Sequence, residues 1–366
     1  YPTTSTPVYT TPFDLVNNWE CHGAMSEGLR TNLCTYSEQF YNAAWSLSAC
    51  QAFGAGSVAN STTAPDGETT AEKIVENNGA AAAHIVSRTA SIAISTTTAY
   101  CASVFMKAAE RSIGRLRMRA GTVYATIECD LSTGACTTIG SEITTTYGSV
   151  NYGNGWWRVY VVATSDSTTS DVQATMCSAA GTTVYAGNGT SGWYVWGMHL
   201  EPATMPGSYI PTTTVAVTRN ADAISYTLSG AHATALSTAG TVVVEYRYAG
   251  AGSDVDVNQR DILSIDNGTS AHRILLYNQT GYQGFYMTVA STPEASLVFT
   301  GRSTQPGFKN TMVAKWSATD TNIAHNGALA TKDSSSGMPT VTNLAFGSQL
   351  TSGVAPLFGT IKRVTI

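Results

Sequence analysis

The stretch from Gly192 to Pro202, GWYVWGMHLEP, alternates in steps of two and then stops. Tyr194, Trp196, Met198 and Leu200 fall on one side, and Trp193, Val195, Gly197 and His199 on the other, which is the period of a strand and not of a helix. The first row reads as a core face. The second presents Trp193 and His199 to whatever lies opposite, which in a sandwich is solvent or a ligand groove. Glu201-Pro202 ends the ladder because proline has no N–H to donate, and Pro206-Gly207 and Pro211 punctuate the exit.

The same pattern recurs along most of the chain. From Asn32 to Asp222, short alternating runs are separated by Gly, Asn, Asp, Ser and Thr clusters, the signature of an antiparallel sandwich. Thr69–Asn77 is the one helix-like segment there, and an exposed strand edge or turn explains it as well. Thr212–Thr218 reads as a Thr/Val linker. A second set of strand-like runs then follows, including TVVVEYRY, RDILSIDN, HRILLYN, YQGFYMTVA, NTMVAKWSA and LFGTIKRVTI. The expected fold is all-β: two antiparallel jelly-roll sandwiches in series, at 28–222 and 223–366, behind a Thr/Pro-rich arm at 1–27. The 366 residues suffice for two cores.

Composition removes several functions. Charged residues are 12% of the chain and the net charge is −5, so the basic stripe that nucleic acid requires is missing. No run approaches the about 20 apolar residues of a membrane helix, which leaves no basis for membrane insertion. GxSxG, HExxH and glycine-rich phosphate-loop motifs do not occur.

Seven cysteines lie within the first 177 residues. Without CxxC pairs or clustered histidines they do not suggest zinc. Cys129 and Cys136 bracket a hairpin-tip sequence, DLSTGA, that sets two sulfurs opposite each other; a disulfide is the preferred reading and two small buried thiols the other. Cys101 and Cys177 sit in strand-like runs and form a second candidate pair, linking sheets. This number of cysteines suits an extracellular or virion-surface protein.

Six stretches carry a resemblance: GLRTNLCTYSEQFYNAAW, TTAPDGETTAEKIVE, YCASVFMKAAE, GNGWWRVYVVAT, GNGTSGWYVWGMHLEP and SYIPTTTVAVTRNAD. In order and spacing they resemble the carbohydrate-binding jelly-roll modules of bacteriophage tail fibres and other virion appendages. The NGALAT hairpin and terminal GTIKRVTI strand resemble concanavalin A-like, laminin-G-like jelly rolls. The resemblance implies a non-enzymatic, glycan-binding adhesion protein at the virion surface. Its implied partners are a cell-surface polysaccharide and other virion structural proteins, and its implied assembly a homotrimer. The competing expectation is a structural fibre or capsid-decoration subunit whose sandwiches make protein contacts.

Three strands supply the candidate site. Val104 and Met106 face the expected core, leaving Phe105 and Lys107 outward; Trp157, Val159 and Val161 face inward, leaving Trp156, Arg158 and Tyr160 outward. With Trp193 and His199 these make a saccharide-stacking face, in which rings meet pyranose C–H groups and charged side chains take hydroxyls. Trp157 and Trp196 are assigned to the core. A glycosidase needs two carboxylates about 5 to 10 Å apart. No E-x-D-x-E strand supplies them, since Glu245 has Val243 and Arg247 as same-face neighbours and Glu201 precedes Pro202. Asp254 and Asp256 place oxygens at alternate positions, as calcium loops do; a structural calcium or a solvated acidic loop follows.

Overall fold

The computed structural model describes residues 24–139, 146–222, 224–248, 259–279, 282–300, 309–330, 333, 337–347, 357 and 359–366. The chain is all-β apart from one short helix among these residues, Gly230–Leu236, capped by Ser229. It divides into two compact units. One spans Arg30–Arg219; the other takes Asn220–Ile366 together with the residues preceding Arg30.

In the Arg30–Arg219 unit two antiparallel sheets enclose a core. The six-stranded sheet runs, in spatial order, Thr146–Gly153, Trp156–Thr164, Ala99–Ala108, Gly192–Pro202, Ala71–Val75 and Val58–Thr62. The main path of the eight-stranded sheet is Cys136–Thr138, Val123–Asp130, Ile113–Ala120, Thr169–Cys177, Ala82–Arg88 and Val184–Tyr185. Val104, Met106, Val159, Val161 and Trp193 from the first sheet pack with Leu116, Met118, Ile127, Val172 and Met176 from the second. The alternation of apolar residues in each strand dictates that single shared layer. The Thr69–Asn77 ambiguity resolves as a strand, Ala71–Val75.

The other unit is also a two-sheet sandwich. One sheet contains Ala239–Tyr248, Lys309–Ser317 and Gly359–Thr365, and the other Arg260–Asp266, Arg273–Gln279, Tyr282–Val289 and Thr292–Thr300. Their core includes Val242, Val244, Tyr246, Ile265, Leu276, Phe285, Met287 and Trp316. Thr292–Thr300, with Pro293 near its start, occupies a sheet edge, where a missing N–H costs least. The segment read as an arm at 1–27 is not detached at its end: Ala24–Ser26 pairs antiparallel with Gly359–Thr365 as an outer strand of this unit.

Cys129 and Cys136 form a disulfide at paired positions of a hairpin, its sulfurs packed on the core. Cys101 and Cys177 are both free, which corrects the second pairing. Cys101 points to the outer side of the six-stranded sheet, beside Val162 and Ala203. Cys177 lies on the eight-stranded sheet against the Glu128 carboxylate.

Candidate functional site

The outer side of the six-stranded sheet, where the stacking face was expected, is closed. Trp156 is 1% exposed, Phe105 1%, Arg158 2%, Trp193 0% and His199 0%. Two causes account for this, one local and one long-range.

The local cause is a β-bulge. Gly192–Pro202 pairs with Ala99–Ala108 in a register that shifts between Trp196 and His199, and Gly197 between them takes φ +63, a conformation glycine adopts without the cost a side chain imposes. The extra residue inverts the alternation halfway along the strand. Trp193 and Val195 face the sandwich core before the bulge, and Met198 and Leu200 face it after. Trp196 therefore points outward with Phe105 and Trp156. The two indoles exchange the roles assigned to them: Trp193 is core, and Trp196 belongs to the outer cluster.

The long-range cause is a cover. Residues 203–212 fold back over the sheet and insert Tyr209 against Trp196, with ring centroids 4.6 Å apart, and against Phe105 at 5.7 Å. The Trp156 indole donates to the Thr63 carbonyl at 3.0 Å and the Trp196 indole to Thr70 Oγ1 at 3.0 Å, tying down the 63–70 turn. Tyr209 shares a 2.7 Å hydrogen bond with Ser37 Oγ. These rings form a second small core, not a sugar platform.

Arg158 and His199 anchor that cover. The Arg158 guanidinium donates to the Gly207 carbonyl and, at 3.1 and 3.0 Å, to Ser103 Oγ; another 3.1 Å contact joins it to His199 Nδ1. Burial, with Arg158 and Arg30 adding to it, holds the His199 imidazole well below its ordinary value, so it is neutral and accepts from Arg158 through Nδ1. Glu201 Oε1 accepts the Gly207 N–H at 2.7 Å, and Arg30 Nε lies 3.4 Å from Glu201 Oε2. Buried charges require such pairing. Tyr160 is half-buried beside Cys101, Val162 and Ala203. Of the expected site residues, Lys107 and Tyr160 alone keep part of their surface.

What stays open is one row at the rim of the cluster. Lys73, Tyr194 and Lys107 are directly paired across three adjacent strands, and Lys107 pairs in turn with the buried Trp156. Tyr194 is half-buried and packed along the aromatic cluster, with Lys73 and Lys107 at the paired positions of its two neighbouring strands. Lys73 Nζ lies 5.9 Å from the Tyr194 ring centroid, and Lys107 Nζ 6.0 Å from that of Trp156, both within cation–π range. Glu110 meets Lys73 at 2.8 Å and accepts the Gly192 N–H at 3.1 Å. Burial raises its carboxyl, but the Lys73 bond and the backbone donors outweigh that and hold it below the usual range. At the other margin Tyr152, 42% exposed, stands edge-on to Phe105 at 4.9 Å.

The sequence reading missed Tyr194 because it counted the strand as unbroken; Gly197 in mid-strand was the available sign of a bulge. Asp254 and Asp256 lie outside the described residues, and among the described residues no cluster of His, Cys, Asp or Glu is suited to a metal. Glu201 meets Arg30, and Glu245 meets Lys309 at 3.1 Å and Arg363 at 3.4 Å. No described helix is long and apolar enough to cross a membrane.

No protein-family model matches the sequence, and no curated protein sequence matches it. Among solved structures, the chain is similar to the CBM40 module of a Ruminococcus gnavus sialidase, bound to α2,3-sialyllactose. Identity there is 20%, over 39% of this chain and 84% of that one, with a TM-score of 0.32. It is similar to mouse laminin α1 domains LG4–5 at 11% identity, over 79% of this chain and 86% of that one, with a TM-score of 0.28. A third similarity is to sheep galectin-11, at 11% identity over 39% and 94% of the two chains, with a TM-score of 0.26.

Proposed function

We propose that this chain is a non-enzymatic glycan-recognition protein, an adhesion component of a phage particle, and that its 30–219 sandwich holds saccharide at the Lys73–Tyr194–Lys107 row. The observation that carries the reading is the half-buried Tyr194 ring, with the Lys73 ammonium 5.9 Å from its centroid and Lys107 at the paired position of the next strand. A ring at the margin of a rigid aromatic cluster offers a stacking surface at little entropic cost, and Lys107 on the neighbouring strand favours a sugar bearing an acidic group. The cover over Phe105, Trp156 and Trp196 supports this by fixing Tyr194 from behind. Display in several copies, as in a homo-oligomer mounted with other virion proteins, multiplies weak single-site affinity.

A glycan array followed by calorimetric titration tests the reading. Tyr194→Ala and Lys107→Ala should each weaken binding of the retained glycan at least tenfold, with melting little changed. Retention of no glycan, or equal binding by both variants, overturns it in favour of a scaffolding subunit. Shortened oligosaccharides after incubation with host polysaccharide would put hydrolysis in place of binding.

A further inference from the structure

The opposite sheet of the same sandwich carries a second cationic feature that the Tyr194 row does not involve. Ile113–Ala120 reads IGRLRMRA, and its period of two sets Leu116 and Met118 in the core while Arg115, Arg117 and Arg119 point outward. The strand lies inside the eight-stranded sheet, between Val123–Asp130 and Thr169–Cys177. Three guanidinium groups are therefore held in register on a sheet face.

The outer two are neutralised. Arg115 Nε donates to Glu128 Oε2 at 2.8 Å, and Arg119 pairs with Asp171. Arg117, between them, has no carboxylate partner among the described residues. Its Nη2 donates to Gln173 Oε1 at 2.8 Å, its guanidinium carbon lies 5.6 Å from the Tyr124 ring centroid, and Gln173 in turn donates to Thr175 Oγ1 at 3.3 Å. The guanidinium is thus oriented from one side and half-exposed. Directly across the ladder sits Thr126, 5% exposed, whose hydroxyl finds no hydrogen-bond partner, an arrangement that costs stability unless something completes it.

We infer that Arg117 is the centre of a second binding site, for the carboxylate or sulfate of an acidic saccharide. A guanidinium fork matches either oxyanion in two hydrogen bonds. Arg117 alone of the three arginines has no carboxylate against it among the described residues, which suits a single anionic substituent and is too little for a polyphosphate backbone. The neighbouring groups, Thr126, Gln173, Thr175 and Ser87 on adjacent strands, are hydroxyls and an amide, the partners that sugar hydroxyls take. The site stands on its own observations and does not rest on the Tyr194 row.

The test uses the full chain on an array of uronate-, sialate- and sulfate-bearing oligosaccharides, beside carboxyl-reduced or desulfated counterparts, single-stranded DNA and a phosphopeptide. The Tyr194→Ala/Lys107→Ala double variant, which disables the other row, is the background. Expected is retention of at least one acidic oligosaccharide, weakened tenfold or more by Arg117→Ala, weakened less by Arg117→Lys, lost on removal of the acidic group and reduced by salt. Unchanged melting of the lysine variant guards against misfolding. The inference is overturned by retention of no acidic saccharide on this background, by equal binding of Arg117→Ala, by equal binding of the neutral counterparts, or by retention of DNA or phosphopeptide instead.

Discussion

The two sheets of the 30–219 sandwich share one core but treat their outer faces in opposite ways. The six-stranded sheet turns Phe105, Trp156, Trp196 and Arg158 outward and then covers them with chain from 63–70 and 203–212. The eight-stranded sheet turns Arg115, Arg117, Arg119, Gln173 and Tyr124 outward and leaves Arg119 46% exposed. An outward aromatic row is therefore as compatible with a second buried layer as with a ligand surface. What differs is whether distant chain is available to lie over it, and an apolar row recruits such cover because burying it is favourable.

The comparison can be broken most directly at its arginines. Arg158→Ala should cost about 3–5 kcal/mol, since it leaves the Gly207 carbonyl, Ser103 and His199 without their buried donor; chemical denaturation measures this. A loss of less than about 1 kcal/mol would mean the cover does not depend on it.

A carboxylate on the open outer face and one turned into the sandwich interior offer a further contrast. Glu128 on the open sheet meets Arg115 at 2.8 Å, whereas burial pushes the Glu72 carboxyl up to about 9. Glu72 is thus protonated in the folded state at neutral pH but ionised when unfolded. Its favourable contribution is complete below about 4.5 and declines as pH rises toward about 9, at about 1.4 kcal/mol per pH unit. Glu72→Gln, which mimics the neutral acid, should match the parent's melting temperature at pH 4 and exceed it at pH 8, by up to about 5 kcal/mol. Parallel curves across that range would show that Glu72 is hydrated.

A smaller effect tests the bulge. A Cβ at Gly197 would lie 2.9 Å from Phe105 Cδ2 and 3.1 Å from the Tyr209 ring, on a backbone with φ +63. Gly197→Ala should cost about 1–3 kcal/mol and loosen Tyr209 first, visible as faster hydrogen exchange across 203–212. The smallest effect is expected on the open sheet, where Arg117→Ala should alter stability by no more than about 0.5 kcal/mol in the same denaturation assay that registers Arg158→Ala.

Much of the fold was legible because it follows from local chemistry. Val104 and Met106 were readable as core, and Phe105 as outward, because Ala99–Ala108 carries no bulge; Val159 and Val161 likewise. The Cys129–Cys136 bond was readable because a hairpin tip fixes the pairing of its flanks. The helix at Gly230–Leu236 and the Thr292–Thr300 strand escaped notice: the first is too short to show a period and the second is interrupted by proline. The site was less legible than the fold. Parity along Gly192–Pro202 depends on a single glycine, and the closure of the outer face depends on Tyr209 and Thr63, which meet Trp196 and Trp156 only after folding.

The inversion at Gly197 makes the strand sensitive to counting. Removing or adding one residue between Trp193 and Trp196 would put both indoles on the same side of the sheet, crowding one nest and leaving the other without its ring. Adding two would restore each ring to its own side. Length variants of this strand in related chains should accordingly differ by even steps, or else carry a compensating displacement of the glycine.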